Sequence, residues 1–271
     1  MKGEPEKLEE PTWFVSDVHL YFDGADYLAD FLRFLERAAD EVARLYVVGD
    51  LFEFWIGNRQ ARLPFYRPLL DALADARRRG LRIGLVQGNR DFLLGRAFSD
   101  LGCDLLPDEL LFAAAGQRVH VSHGDQFCIH DHSYQAARSW MRSAPARFVA
   151  ACLPAGLGVW LARSYRGISE RKKARMSRET GNRFHTIEDG VRREFAVGGH
   201  DLIICGHIHD FADRRLTVEG RERRVISTGA WEEGPNYVAF DGKDFRPMRF
   251  EAAEVGPGEG TSVRSALAPE A

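Results

Sequence analysis

The sequence predicts an α/β protein built on a mainly parallel, buried sheet, and three observations carry that expectation. From residue 12 to about 126, apolar β-branched runs alternate with helix-patterned segments, the rhythm of βαβ units. Three such runs, Trp13-Phe14-Val15, Leu45-Tyr46-Val47-Val48 and Leu202-Ile203-Ile204, lead into short segments bearing Asp and His. Open α/β sheets place their sites at the carboxyl ends of strands in this way. Between 130 and 199 the strand rhythm stops, and basic, helix-favouring stretches take its place.

Taken in order, a strand is expected to run to Ser16, a helix over 25–38, a strand over 45–48, a helix over 65–79 and a strand over 81–86. Continuous apolar runs of this length suit strands covered on both faces. Helices follow at 133–141 and 167–195, with breaks at Pro145, Pro154 and Gly181, because proline and glycine interrupt helical patterns. Strands return at 201–205, 214–218, 223–227, 237–240 and 245–250. The turns Glu219-Gly220 and Asp241-Gly242 predict antiparallel hairpins, which are expected to form a second sheet. The expected division is an N-terminal extension (1–11), a main domain (12–129 and 200–251), a helical insertion or cap (130–199) and a disordered tail (252–271). The tail is assigned on its Gly, Pro, Ser, Ala and Glu content.

A chain of 271 residues with 45% hydrophobic content can fill a sizeable core. The net charge is only −3, but residues 138–193 hold 13 Lys and Arg against 4 Asp and Glu. That asymmetry points to an anionic ligand near the middle segment. Cys103, Cys128, Cys152 and Cys205 show no paired spacing and read as reduced thiols of a cytoplasmic protein. The charged first eleven residues lack an apolar stretch of the signal-peptide kind. No run reaches the roughly 20 apolar residues that span a bilayer, and the best, 148–162, is interrupted by Pro154, Gly156 and Gly158. That stretch is suited to lying on a membrane, not to crossing one.

The chemistry resides in six segments: Asp17-Val18-His19, Gly49-Asp50, Gly88-Asn89, His123-Gly124-Asp125, Gly206-His207 and Ile208-His209. Imidazoles mixed with carboxylate and amide oxygens, and no thiolate, suit borderline divalent ions, with Mn2+ expected first. Asp50, with two carboxylate oxygens, is the expected bridge between two ions. Asp17, His19 and His209 would then flank one ion, and Asn89, His123 and His207 the other. Water ionised between two such ions is the expected nucleophile for attack on phosphorus. Arg90, next to Asn89, is expected to clamp a diphosphate through its planar guanidinium. A phosphate leaving group needs no proton from a neighbouring acid.

The order Asp-x-His, Gly-Asp, Gly-Asn, His, Gly-His-x-His resembles the calcineurin-like metallophosphoesterases. The resemblance implies a four-layer αββα sandwich of two β-sheets flanked by helices, around a dinuclear site. Narrower motifs are similar to the UDP-2,3-diacylglucosamine pyrophosphatases of lipid A biosynthesis. These are Gly49-Asp50-Leu51-Phe52-Glu53 with Trp55-Ile56-Gly57, Gly88-Asn89-Arg90-Asp91-Phe92-Leu93-Leu94-Gly95, His123-Gly124-Asp125, Asp131 with Tyr134-Gln135-Ala136, and Gly229-Ala230-Trp231. The resemblance implies hydrolysis of a UDP-linked acylated sugar to UMP and the lipid phosphate, with Asn89, Arg90, Asp131, Tyr134 and His207 toward the substrate. For Asp131 and Tyr134 the alternatives are helix capping and core packing. Apolar and basic residues over 145–175, among them Arg163, Arg166, Arg171, Lys172, Lys173 and Arg175, are expected to meet acyl chains or the inner membrane face. Residues 169–182 depart from the family pattern, so no contacts are carried over there. Another nucleotide or lipid diphosphate is the alternative substrate, and a non-catalytic scaffold is the reading from a different class. The basic segment is interleaved with aliphatics more than aromatics, which disfavours a nucleic-acid partner.

Overall fold

A computed structural model of the chain describes residues 4–21, 27–55, 57–143, 145 and 183–251. Two six-stranded mixed sheets form its centre. In sheet B the strands β2 (Thr12–Val15), β3 (Arg44–Val48), β4 (Arg82–Val86) and β5 (Asp104–Leu106) run parallel. The hairpin of β11 (Asn236–Phe240) and β12 (Phe245–Arg249) extends it antiparallel from β2. Sheet A contains β1 (Glu6–Lys7), β6 (Glu109–Ala114), β7 (Gln117–Ser122), β8 (Leu202–Cys205), β10 (Arg221–Thr228) and β9 (Phe211–Val218), in that spatial order. Strands β7, β8 and β10 are parallel to one another.

Alternation along the strands explains why two sheets stack. Trp13, Val15, Leu45, Val47, Ile83 and Leu85 face helices α1 (Tyr27–Glu41) and α2 (Arg67–Arg78). The intervening Phe14, Tyr46, Val48 and Val86 face sheet A and meet Phe112, Val119, Val121, Leu202 and Ile204. On the other side of sheet A, Ile203, Cys205 and Val225 pack with Val191 and Phe195 of α5 (Glu188–Gly198). Successive side chains point to opposite faces, so one apolar run supplies two cores. The result is the expected four-layer αββα arrangement. In α1, Phe31, Phe34, Leu35 and Ala38 are buried, the i, i+3, i+4, i+7 stripe of a helix lying on a sheet.

Several expectations are corrected. The two C-terminal hairpins do not make a sheet of their own. The β9–β10 hairpin joins sheet A because Val225 and Ile226 complete the cores on both faces beside β8. The β11–β12 hairpin joins sheet B because Val238 and Ala239 align with Phe14 and Trp13. A strand ending at His123 is borne out as β7, whereas β5 and β6 are additional strands, for β5 is short and largely exposed and β6 runs into Ala113-Ala114-Ala115-Gly116, which lacks a strand or turn signature until the glycine. Within 1–11, Glu6 and Lys7 pair with β6 and Leu8 is buried. Helix α3 (Arg96–Ser99) is a single turn after β4; within 130–199, α4 (His132–Met141) is helical as expected, and α5 belongs to the outer layer of sheet A. The stretches 146–182 and 252–271 lie outside the described residues, and with them the apolar and basic side chains expected to meet lipid. No helix among the described residues is long and apolar enough to cross a membrane.

Candidate metal centre

Strands β2, β3 and β4 of one sheet and β7 and β8 of the other deliver their C-terminal loops to a common point. Backbone bonds extend the ladders past the strand ends: Asp17 N–H donates to Gly49 O, His19 N–H to Asp50 O and Gly206 N–H to His123 O. The two sheets meet where the His207 N–H donates to Asp17 Oδ2 at 2.9 Å.

Backbone conformation marks the same loops. Seven non-glycine residues among those described have positive φ, and five are Asp17 (52°), His19 (55°), Asp50 (53°), His207 (69°) and His209 (52°). The other two, Ala115 and Glu219, sit in hairpin turns beside glycine. Left-handed backbone is costly for such side chains and persists where surrounding structure enforces it. The glycines before the ligands have a steric reason. A Cβ on Gly49, whose φ is +86°, would lie 2.5 Å from His123 Nδ1 and 2.8 Å from Gly88 Cα. A Cβ on Gly88 would fall on Asp50, and one on Gly206 on Ser16 and Asp17.

All seven expected ligands come together in two adjoining groups. In the first, His209 Nε2 lies 3.3 Å and His19 Nε2 3.7 Å from Asp17 Oδ1, and the two imidazole nitrogens are 3.0 Å apart. Asp17 Oδ1 is buried with no hydrogen-bond partner. In the second, Asn89 Oδ1 is 2.9 Å from His123 Nε2 and 3.1 Å from His207 Nδ1, and Asp50 Oδ2 is 3.6 Å from His123 Nε2. Asp17, Asp50 and His123 also converge to within 4.8 Å, linking the two groups. An orphaned buried carboxylate oxygen facing imidazole nitrogens is what a divalent cation satisfies, so the residues fit a pair of ions.

The electrostatics agree. Burial lowers the pKa of His19, with the Arg90 charge adding to it. Burial and the His123 charge push His207 down to about 4. Burial acts the same way on His123, but the carboxylates of Asp50, Asp17 and Asp125 outweigh it and raise its pKa to about 9. Against the burial that opposes its ionisation, the His209 imidazole 3.3 Å from Oδ1 and the charges of His123 and His19 hold Asp17 far below the usual carboxylate range. The cage thus carries negative charge, and without a metal a proton on His123 partly offsets it.

Three supporting carboxylates were not assigned roles from sequence. Glu53 Oε2 is 3.2 Å from His19 Nδ1, and Glu53 Oε1 pairs with Arg90 Nη1. Asp91 accepts from the Gly88, Leu51 and Asp50 amides at 2.8, 2.9 and 3.3 Å, tying two ligand loops together. Burial and the Asp50 charge push Asp91 up to about 7. Asp125 accepts from Tyr134 Oη at 2.9 Å and from Arg138 Nε at 2.7 Å, anchoring α4 beneath the His123 loop. All three lie within the quoted motifs, so the signal is their spacing from Asp50, Asn89 and His123. His123 Nδ1 donates to Val48 O at 3.1 Å, which turns Nε2 toward the centre.

Arg90 is buried beside the cage, with Nε 3.5 Å from Asp50 Oδ2. Asp131 caps α4, its Oδ1 accepting from the Tyr134 N–H at 2.9 Å, the alternative weighed for it from sequence. The Tyr134 ring stands 6.0 Å from that of His207.

A two-sheet sandwich whose strand ends converge on paired His and carboxylate clusters defines a metal-dependent phosphoesterase. Residues 10–211 match the calcineurin-like phosphoesterase family, and the chain belongs to it. Its relatives include UDP-2,3-diacylglucosamine hydrolases. That of Aeromonas salmonicida (strain A449) is 38% identical over 86% of this chain and 91% of its own. That of Pseudomonas aeruginosa (strain UCBPP-PA14) is 33% identical over 88% and 98% respectively. A solved archaeal phosphodiesterase is similar with a TM-score of 0.43 at 14% identity, covering 89% of this chain and 99% of that one.

Proposed function

We propose that this protein hydrolyses the pyrophosphate bond of UDP-2,3-diacylglucosamine, giving UMP and 2,3-diacylglucosamine 1-phosphate, as a step of lipid A biosynthesis. The observation that carries the reading is Arg90, a guanidinium buried at the ligand cage between Asp50 and Glu53. A fixed guanidinium beside a phosphoesterase centre suits the second phosphate of a diphosphate, which it can engage through two parallel hydrogen bonds. Relatives named for this substrate, matched over most of their length, support the same assignment.

In this reading Asp17, His19 and His209 would hold one divalent ion and Asn89, His123 and His207 a second, with Asp50 placed between the two groups. Mn2+ suits this mixture of nitrogen and oxygen donors. When bound, such a pair supplies Lewis acidity toward phosphate oxygens and makes water acidic. The protein's own groups do the positioning. Asn89 turns Oδ1 toward His123 and His207, which leaves its amide N–H groups to donate to a phosphate oxygen. Glu53 orients both Arg90 and His19, and Asp91 fixes the spacing of the Asp50 and Asn89 loops. Tyr134 donates its hydroxyl proton to Asp125 and offers the substrate a ring wall. The phosphate monoester that departs needs no general acid, in keeping with Arg90 at this position. A non-catalytic scaffold is disfavoured because every expected ligand is present and convergent. Contact of 145–175 with the inner membrane surface, at a cytoplasmic location, completes the proposal.

Turnover in 18O-labelled water tests it. Attack at the uridine-side phosphorus places the label in UMP. Label in the acyl-sugar phosphate, or hydrolysis of other diphosphates with this substrate untouched, refutes the assignment.

A further inference from the structure

On the outer face of sheet A, away from the two ligand groups above, His120, His200 and Glu194 form another cluster of ligating side chains. Their ligand atoms lie within 4.8 Å of one another. His120 is the middle of β7 and in register with Ile203, so it points into the core that α5 covers. His123 is three residues further on, about 10 Å of strand, and belongs to the loop beyond.

Two features set His120 apart from an ordinary core histidine. The equivalent outward positions on neighbouring strands are Ile203 and Val225, so His120 replaces an aliphatic side chain in an apolar layer. It is fully buried, and neither ring nitrogen has a hydrogen-bond partner. A neutral imidazole carries one donor and one acceptor, and buried polar groups are nearly always satisfied. Glu109 Oε2 stands 3.7 Å from His120 Nε2, beyond hydrogen-bond reach. His200, also buried, stacks on His120 with ring centroids 5.1 Å apart and planes 19° from parallel. Its Nε2 is 2.9 Å from Glu194 Oε1 of α5. At the end of that helix a Cβ on Gly198 would fall on His200 and Glu194, so the glycine preserves the space.

We propose that His120, His200 and Glu194 form a third, structural metal site, distinct from the phosphoesterase centre, that takes a divalent transition ion of the Zn2+ class. Two imidazoles and one carboxylate, with no thiolate, form a donor set for Zn2+, Co2+ or Ni2+ more than for Mg2+ or Ca2+. A fourth position falls to water, and Glu109 is placed to orient His120. Ligands from β7, the loop before β8 and α5 make the ion a clamp that holds the outer helix on sheet A.

The test is metal content per chain after chelation, reloading with Zn2+ and desalting. Glu194→Ala, at a partly exposed helical position that tolerates alanine, and His200→Gln are each expected to retain one ion fewer than the wild type. Both are expected to lose the Zn2+-dependent rise in unfolding temperature while keeping Mn2+-supported hydrolysis. Co2+ loading is expected to give a tetrahedral absorption band that Glu194→Ala removes and His207→Ala leaves in place. If His200→Gln fails to fold, Glu194→Ala decides alone. Equal metal content and equal Zn2+ stabilisation in Glu194→Ala and wild type would overturn the site and leave a water-filled polar pocket. Loss of ions in His207→Ala but not in Glu194→Ala would confine metal binding to the phosphoesterase centre.

Discussion

Gly49→Ala separates the geometry of the centre from the stability of the fold. The alanine methyl would sit 2.5 Å from His123 Nδ1 and 2.8 Å from Gly88 Cα, where ordinary contact begins near 3.4 Å. Gly88 Cα is backbone and yields little, so the His123 ring must retreat by about 0.9 Å, straining the Nδ1–H donation to Val48 O. Displacement of about 1 Å in a catalytic constellation costs on the order of 100-fold in rate. The left-handed backbone at Gly49, φ +86°, adds about 1–2 kcal/mol of destabilisation. Gly220→Ala is the matched control, because its φ is +73° and nothing lies within 4 Å of the new methyl. Gly220→Ala should lose about 1–2 kcal/mol in denaturant titration and Gly49→Ala about 1–3 kcal/mol more for its clash with the Gly88 backbone, and only Gly49→Ala should lose about 100-fold in kcat for a chromogenic phosphodiester at saturating Mn2+. If Gly49→Ala hydrolyses that ester within about threefold of Gly220→Ala, well inside the loss expected for a displaced ligand, His123 is not a ligand that its position makes critical.

Glu53→Gln removes the carboxylate that orients His19 and Arg90, and should raise the Mn2+ concentration for half-maximal activity by about 10- to 100-fold; metal titration of the rate measures it. Arg90→Lys keeps the charge but loses the planar fork, and should lower kcat/KM for a nucleotide diphosphate about 10- to 100-fold, as expected for one charged hydrogen bond, with a smaller loss for a simple diester. The pH dependence follows from His123, whose pKa of about 9 means that it must shed a proton to bind metal. His207, at about 4, is already neutral. Apparent metal affinity should therefore rise about tenfold per pH unit up to about 9. Calorimetry at pH 8, above the Asp91 value of about 7, should record release of about one proton.

The centre was more legible in the sequence than the sheet around it. Asp50, Asn89 and His207 each follow a glycine, and the glycines at 49, 88 and 206 stand where a Cβ would collide with Asp17, Asp50 or His123, so motif and geometry have one cause. The parallel strands β2, β3, β4 and β8 were readable because burial on both faces makes them continuously apolar. Their neighbours were harder. Strand β6 alternates half-buried and buried residues over only six positions and ends in alanines, and β5 is a three-residue edge. The partnering of the hairpins depends on which core Val225 or Val238 completes, a tertiary preference that no local pattern carries. Asp91 and Asp125 are hard to read for the same reason: Asp91 binds the Asp50 and Leu51 amides of another loop and Asp125 binds Tyr134 and Arg138 of α4, partners that no local pattern announces.

The proposed function joins two parts, a two-metal centre in the paired clusters and cleavage of a UDP-linked acyl sugar at its pyrophosphate. Its most direct test is UMP release from UDP-2,3-diacylglucosamine by chelator-stripped protein, with and without added Mn2+. No turnover is expected without metal, equimolar UMP and acyl-sugar 1-phosphate with it, and loss of both in Asp50→Asn. UMP release that ignores the metal would contradict the centre, and a metal-loaded enzyme that leaves this substrate intact while cleaving other diphosphates would contradict the substrate.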